Sequence, residues 1–310
     1  MTPRLWLITA IAAVLIAVLA VGGVNIAIDP YGLYRSNSGR QLRVAGDERV
    51  AKYLLSLRYV PQRFNSVLIG ASISANWDVT KIDRLRIYNE SLNGATIIEE
   101  RALIEAALSR PGISIVLLLV HPALTYSSEF RTVDMQPALK RSALGSLSLW
   151  EVYKDWIRIR LGGAEPVFDY AGTERYAEGR HEMNANMKRM WNTKDFEIDP
   201  VAWQAYIDVV GELRHRKIQI VFIVPPTSAQ LLSSKRTALE RYLEQLRAAV
   251  GAGDAWIDFL SPPRSALWTD EANFSDGVHF TPEGARAVVN QLNAAINDWL
   301  ERRQLIVDSQ

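Results

Sequence analysis

The chain contains no cysteine. Disulfides, thiolate zinc sites, cysteine nucleophiles and lipoprotein anchoring are thereby excluded. Histidines number only four and do not stand at metal-ligand spacing, so no metal is expected. Gly70-Ala71-Ser72-Ile73-Ser74 lacks the lysine of a phosphate-cradling loop, and no cofactor is expected. Charge of one sign is also missing: 35 Lys and Arg stand against 34 Asp and Glu, for a net charge of +1. That balance gives no argument for nucleic acid or an acidic polymer as partner. No internal repeat or low-complexity tract is visible.

What is present is an ordinary globular composition, 48% hydrophobic and 22% charged over 310 residues, enough for one or two domains. From Leu5 to Ile28 no residue is charged. As a helix this stretch covers roughly 36 Å, against a hydrocarbon core of about 30 Å. It reads as an uncleaved signal-anchor over 1–28, with a signal peptide cut after Ala20 as the alternative; the apolar run past Ala20 favours the anchor. Arg4 precedes the span and Arg35, Arg40 and Arg43 follow it, so the positive-inside rule alone leaves the C-terminal part cytoplasmic. The layout of short tail, single span and long folded domain favours export, and export is the expectation.

Residues 29–63 read as a juxtamembrane linker and helix, with a turn at Asp29-Pro30-Tyr31-Gly32, a flexible Ser36–Gly39 and a helix from Val50 to Tyr59 halted by Pro61. Then short apolar runs alternate with amphipathic segments. Strands are expected at Ser66–Ile69, Arg86–Tyr88, Ile113–Val120, Ile218–Val224 and Ala255–Phe259, apolar on both faces as in a covered parallel sheet. Helices are expected over Ile97–Ser109, from Asp199-Pro200 toward Arg216, over Lys235–Val250, and from Thr281-Pro282 to about Arg302, with a tail at 303–310. The fold class is α/β: a three-layer α/β/α domain over 64–302 with a five-stranded, mostly parallel sheet. Ligands of such sheets sit at the carboxyl ends of the strands, where Ser72, Gly94 and His121 fall.

Between His121 and Lys217 the chain runs far longer than the dozen or so residues a crossover needs. This helical insert, 122–217, carries Trp150, Trp156, Trp191, Trp203, Tyr126, Tyr153, Tyr170 and Tyr176. It reads either as a lid at the site or as a peripheral embellishment.

Ser275-Asp276-Gly277-Val278-His279-Phe280 puts an acid and an imidazole on one loop ahead of a helix. A serine hydroxyl needs a base to take its proton and an acid to stabilise the imidazolium. Ser72, after the apolar run Val67-Leu68-Ile69, would be the nucleophile, His279 the base and Asp276 the orienting acid. Alone, Ser72 could merely cap a helix and Asp276 merely close a turn; their joint occurrence is the stronger signal. In Tyr88-Asn89-Glu90-Ser91-Leu92-Asn93-Gly94-Ala95, a strand enters a loop whose Gly94 N–H can face an oxyanion, beside that of Ser72.

Together these residues resemble the SGNH (GDSL-like) hydrolase superfamily, over roughly Phe64 to Leu300. The resemblance implies a flavodoxin-like SGNH fold, Ser72 as nucleophile, Gly94 as oxyanion donor, and Asp276 and His279 as acid and base. The span followed by Asp-Pro-Tyr-Gly, with Val224-Pro225-Pro226-Thr227, looks like the membrane-anchored envelope branch, which includes relatives of alginate O-acetyltransferases and the D-alanyl transfer protein. One block departs: where that family carries Gly-x-Asn-Asp, this chain reads Leu119-Val120-His121-Pro122-Ala123. Asn93 or His121 could replace the missing donor; His121 could equally be a satisfied histidine at the sheet edge. The departure shifts the reading from free esterase toward transferase and leaves room for a non-catalytic scaffold. The resemblance implies an acyl-ester or polysaccharide substrate, the inner membrane of a bacterium with a periplasmic or extracellular domain, and an envelope biosynthesis complex as partner. His215, in a basic helix end, and His181, in a loop, suggest no role, and Glu99-Glu100 reads as an exposed helix face.

Overall fold

The structure is a computed structural model that describes residues 2–29, 31, 33–34, 48–127, 149–174, 188, 191–192 and 195–308. Helix α1 (Pro3–Ile28) opens on Pro3 with Thr2 capping the Leu5 N–H, and closes on Asp29 in the left-handed region at φ 44°. It is long and apolar enough to cross a membrane, and none of the described residues buries its apolar stretch. Residues just after it are packed rather than open. The buried Asp29 carboxylate accepts the Leu33 and Tyr34 N–H groups at 2.8 and 3.0 Å, and Tyr31 and Leu33 join the main core. Ser36–Gly39 lies outside the described residues.

Helix α2 (Glu48–Ser56) ends earlier than its sequence pattern suggests, and Pro61 starts rather than stops a helix. It occupies the first turn of α3 (Tyr59–Arg63), where the missing proline N–H costs nothing. Five strands follow: β1 (Ser66–Ile69), β2 (Ile87–Asn89), β3 (Ile115–Leu119), β4 (Gln219–Val224) and β5 (Ala255–Asp258). All pair in parallel, in the order β2-β1-β3-β4-β5. Their Val, Ile and Leu runs are buried on both faces, as a sheet covered by helices demands.

From β1 the chain first steps outward to β2, then returns across β1 to β3. Right-handed crossovers therefore place the connections on opposite faces of the sheet. On one side α5 (Ile97–Ala107) packs against α2 and against α8 (Pro200–His215), which also touches β4. On the other, α10 (Pro282–Asp308) packs against β5 and the turn Val79–Lys81, and runs beyond the expected stop near Arg302. Helix α9 (Ala229–Arg247) begins before the expected Lys235, because Ser228 caps its Leu231 N–H straight after Pro225-Pro226. Within the insert lie α6 (Pro122–Thr125), α7 (Leu149–Arg160) and α8, the last capped by Asp199 and opened by Pro200. The strand order reverses between β1 and β3, and in such sheets ligands sit at the carboxyl ends of the strands beside that switch point.

Candidate active site

Helix α4 (Ser72–Ala75) starts directly at Ser72, with only Gly70 and Ala71 between it and the end of β1. Gly70 is required there: a Cβ would lie 2.3 Å from Ser74 Oγ and 3.2 Å from the Leu119 side chain on β3. Ser74 Oγ is 2.8 Å from Ser91 Oγ, and the Asn89 amide donates to the Ser74 carbonyl at 2.8 Å. The loops after β1 and β2 are thus tied together, with Gly94 at the end of the second in the left-handed region at φ 64°.

The loop before α10 folds back to this point. Asp276 Oδ1 accepts the N–H groups of Val278 and His279 at 3.1 and 2.8 Å, so its own backbone orients the carboxylate. Asp276 Oδ2 lies 2.7 Å from His279 Nδ1, and His279 Nε2 lies 2.7 Å from Ser72 Oγ, across 207 positions of sequence. A carboxylate only accepts, so Nδ1 carries the ring proton and Nε2 is free to take that of the Ser72 hydroxyl. Burial works to raise the Asp276 pKa, but the hydrogen bonds from the His279 ring and the two backbone N–H groups win and hold it below the ordinary value. The Asn76 amide, donating to the Phe280 carbonyl at 3.0 Å, fastens the loop to the helix that carries Ser72.

His121 stands one strand away. The β1–β3 register pairs Ile69 with Leu118, and Ser72 and His121 each follow three residues further along their chains. His121 Nδ1 accepts the Ala123 N–H at 3.1 Å, which leaves the proton on Nε2. That Nε2 is buried and has no hydrogen-bond partner among the described residues. Burial, aided by the charge of nearby His279, lowers the His121 pKa to about 3, so the ring stays neutral. Rather than a satisfied histidine at a sheet edge, it is a fixed and unused donor. Asn93, the other replacement suggested by the sequence, has its amide nitrogen 2.7 Å from Glu174 Oε2 and 3.3 Å from Glu48 Oε2. Two carboxylates take its two hydrogens, which leaves no side-chain donor for an oxyanion.

A buried charged cluster behind the Gly94 loop is the feature the sequence reading missed. Glu99 and Glu100, expected on an exposed face, are fully buried. Lys52, also fully buried, donates to the Ser91 carbonyl at 2.6 Å, and Arg49 donates to the Asn93 carbonyl at 2.6 Å and pairs with Glu99 at 2.9 Å. Burial pushes Glu90 up to about 8, despite the Ser56 hydroxyl and Lys52, and pushes Glu174 up to about 8, helped by Glu48. Burial, followed by the neighbouring Glu90, raises Glu100 well above the ordinary carboxylate value. The signal in the sequence was faint: a charged residue, Glu90, directly after the short strand β2.

The remaining candidates separate cleanly. His215 is exposed at the end of α8, and His181 and Tyr176 lie outside the described residues. Trp191 is buried against His121 and Phe196, and Trp203 stacks on Tyr206, so these two form core rather than an open surface. Among the described residues no group of carboxylates and histidines is arranged to hold a metal ion.

No family model and no curated protein matches the chain. Among solved structures it is similar to a lipase/acylhydrolase from Enterococcus faecalis, with 12% identity and a TM-score of 0.37 over 74% of this chain and 95% of that one. It is similar to the psychrotrophic esterase EstA from Pseudoalteromonas, with 12% identity and a TM-score of 0.37 over 76% and 99%. A family two carbohydrate esterase from Clostridium thermocellum shares 10% identity at a TM-score of 0.37, over 76% and 64%. At such values the function has to be argued from the site itself.

Proposed function

We propose that the protein is a membrane-anchored serine ester hydrolase or O-acyltransferase of the SGNH type. The observation that carries this reading is the unbroken chain Ser72 Oγ–His279 Nε2, His279 Nδ1–Asp276 Oδ2, with 2.7 Å at each link. Ser72 attacks an ester carbonyl while His279 takes its proton, and Asp276 stabilises the imidazolium that results. The tetrahedral oxyanion is held by the N–H groups of Ser72 and Gly94, with His121 Nε2–H as third donor in place of an asparagine. His279 returns the proton to the leaving alcohol, and water or a sugar hydroxyl then accepts the acyl group from Ser72. With water the enzyme is an esterase, with a sugar hydroxyl a transferase.

The apolar α1 and the resemblance to the anchored branch support an envelope polysaccharide as substrate and the bacterial inner membrane as location, with the domain beyond it. Ser72→Ala and His279→Ala should each abolish turnover of a small acetyl ester and labelling by a serine-reactive fluorophosphonate. Equal labelling of wild type and Ser72→Ala would sink the proposal. A non-catalytic scaffold would instead bind polysaccharide undiminished in Ser72→Ala, with no turnover by the wild type.

A further inference from the structure

Large apolar side chains exposed to solvent are unevenly placed. Outside α1 the described residues include six: Trp150, Ile157, Leu161, Val167, Tyr170 and Val201. Five of the six fall between Trp150 and Tyr170, on α7 and the segment that follows it. Trp150, Ile157 and Leu161 are 70%, 49% and 81% exposed, and their spacing of seven and eleven residues puts them on one helical face. The opposite face, Leu149, Val152 and Ile159, is buried in the domain. A helix that is apolar toward the core and apolar again toward solvent has a second surface to satisfy.

What α7 touches identifies that surface. The Tyr153 hydroxyl on α7 donates to Asn25 Oδ1, in the last turn of α1. Asn25 and Asp29 are the first polar groups after the apolar stretch, so they mark where a spanning helix would leave the hydrocarbon. A helix hydrogen-bonded to that turn lies at the bilayer surface. Its exposed face has interfacial chemistry: a tryptophan and aliphatic side chains, beside Lys154 and Arg158 whose long stems can lie on lipid while their charges stay in water. Lys154 also pairs with Glu151, and Arg158 with Asp155 at 3.7 Å. The helix is therefore not a polybasic lure, and its attraction is to the apolar boundary rather than to anionic headgroups.

We propose that α7 is a second membrane contact, its Trp150–Ile157–Leu161 face seated in the lipid interface beside the exit of α1. The proposal rests on α1 spanning the bilayer and is independent of the ester chemistry. Helix α7 fixes which side of the domain faces the lipid, a constraint that a single span cannot impose.

The absence of cysteine makes the test direct. Trp150→Cys, Ile157→Cys and Leu161→Cys, made singly in the full chain, are labelled with an environment-sensitive fluorophore in vesicles of phosphatidylethanolamine and phosphatidylglycerol. Leu15→Cys in α1 and Glu240→Cys on the exposed face of α9 serve as references. The three α7 positions should be quenched by a nitroxide carried shallow in the lipid acyl chain, and be several-fold less sensitive to aqueous iodide than position 240. Iodide quenching equal to that at 240, with position 15 quenched by lipid nitroxide, overturns the proposal while leaving the span intact. Shielding from iodide without nitroxide quenching overturns it too, and assigns the face to protein, such as a second copy. If position 15 is not quenched by lipid, the premise falls and the proposal with it.

Discussion

A hydroxyl 2.7 Å from an imidazole nitrogen becomes a useful nucleophile only if the charge it creates on the substrate is also met. In the mechanism proposed above part of that burden falls on His121, a residue type that can lose its donor by changing tautomer. The Ala123 N–H on Nδ1 prevents that, and burial keeps the ring neutral, so its contribution carries no pH limb of its own above about 3. His121→Leu should lower kcat on a small acetyl ester by on the order of 10²-fold with little change in KM. His121→Asn, which restores a donor, should recover part of the loss; steady-state kinetics on the two variants decides it. Glu90 makes a different prediction. Its folded pKa of about 8 exceeds the ordinary 4.5, so the folded chain keeps a proton that the unfolded chain releases. The stability from this group is full below about 4.5 and declines as pH rises toward about 8. Glu90→Gln, which stays neutral, should melt higher than wild type near pH 8 and no higher near pH 4.5. Melting curves that run parallel across that range would count against it.

Between residues and the whole lies the loop that brings His279 home. Gly277 sits at φ 91°, and a Cβ on it would meet Leu231 at 2.7 Å. Gly284, in the first turn of α10, is even tighter, since its Cβ would fall 2.0 Å from the Asn273 carbonyl oxygen. Gly284→Ala should therefore push α10 off the loop, costing about 1–3 kcal/mol and lowering turnover more than a surface alanine would. Urea unfolding and ester turnover measured together test both halves. The same loop shows what was readable in advance. Asp276 and His279 are three residues apart, so a single turn fixes their relation, and sequence spacing suffices to find them. The five parallel strands were equally legible, since apolar runs such as Val116–Leu119 have few other uses. Lys52, Glu90, Glu99 and Glu100 were not. A charged residue on a helix is expected in water, and only tertiary packing of α2 against α5 and the loop after β2 buries these four together. Pro61 misled for a local reason, because a proline that ends one helix and one that opens the next look alike in sequence.

At the scale of the molecule, the domain does not begin where the apolar span ends. Tyr31 and Leu33 are core residues, and Arg58 donates to the Leu33 carbonyl at 2.9 Å. A chain starting at Asn25 should keep wild-type stability and ester turnover in solution. One starting at Glu48 should lose on the order of 3 kcal/mol, the burial of two large side chains. Denaturant midpoints of the two chains make the comparison, and equal midpoints would place the domain boundary after Leu33. The closure between Ser72 and His279, 207 positions apart, bears on the life of the protein before it is complete. Synthesis proceeds from the N-terminus, so Ser72 is made 207 positions ahead of His279. Until α10 has emerged and docked, the growing chain carries an inert serine. On the proposed mechanism its reactivity arises only once His279 is in place, and a chain stopped before His279 should show no ester turnover.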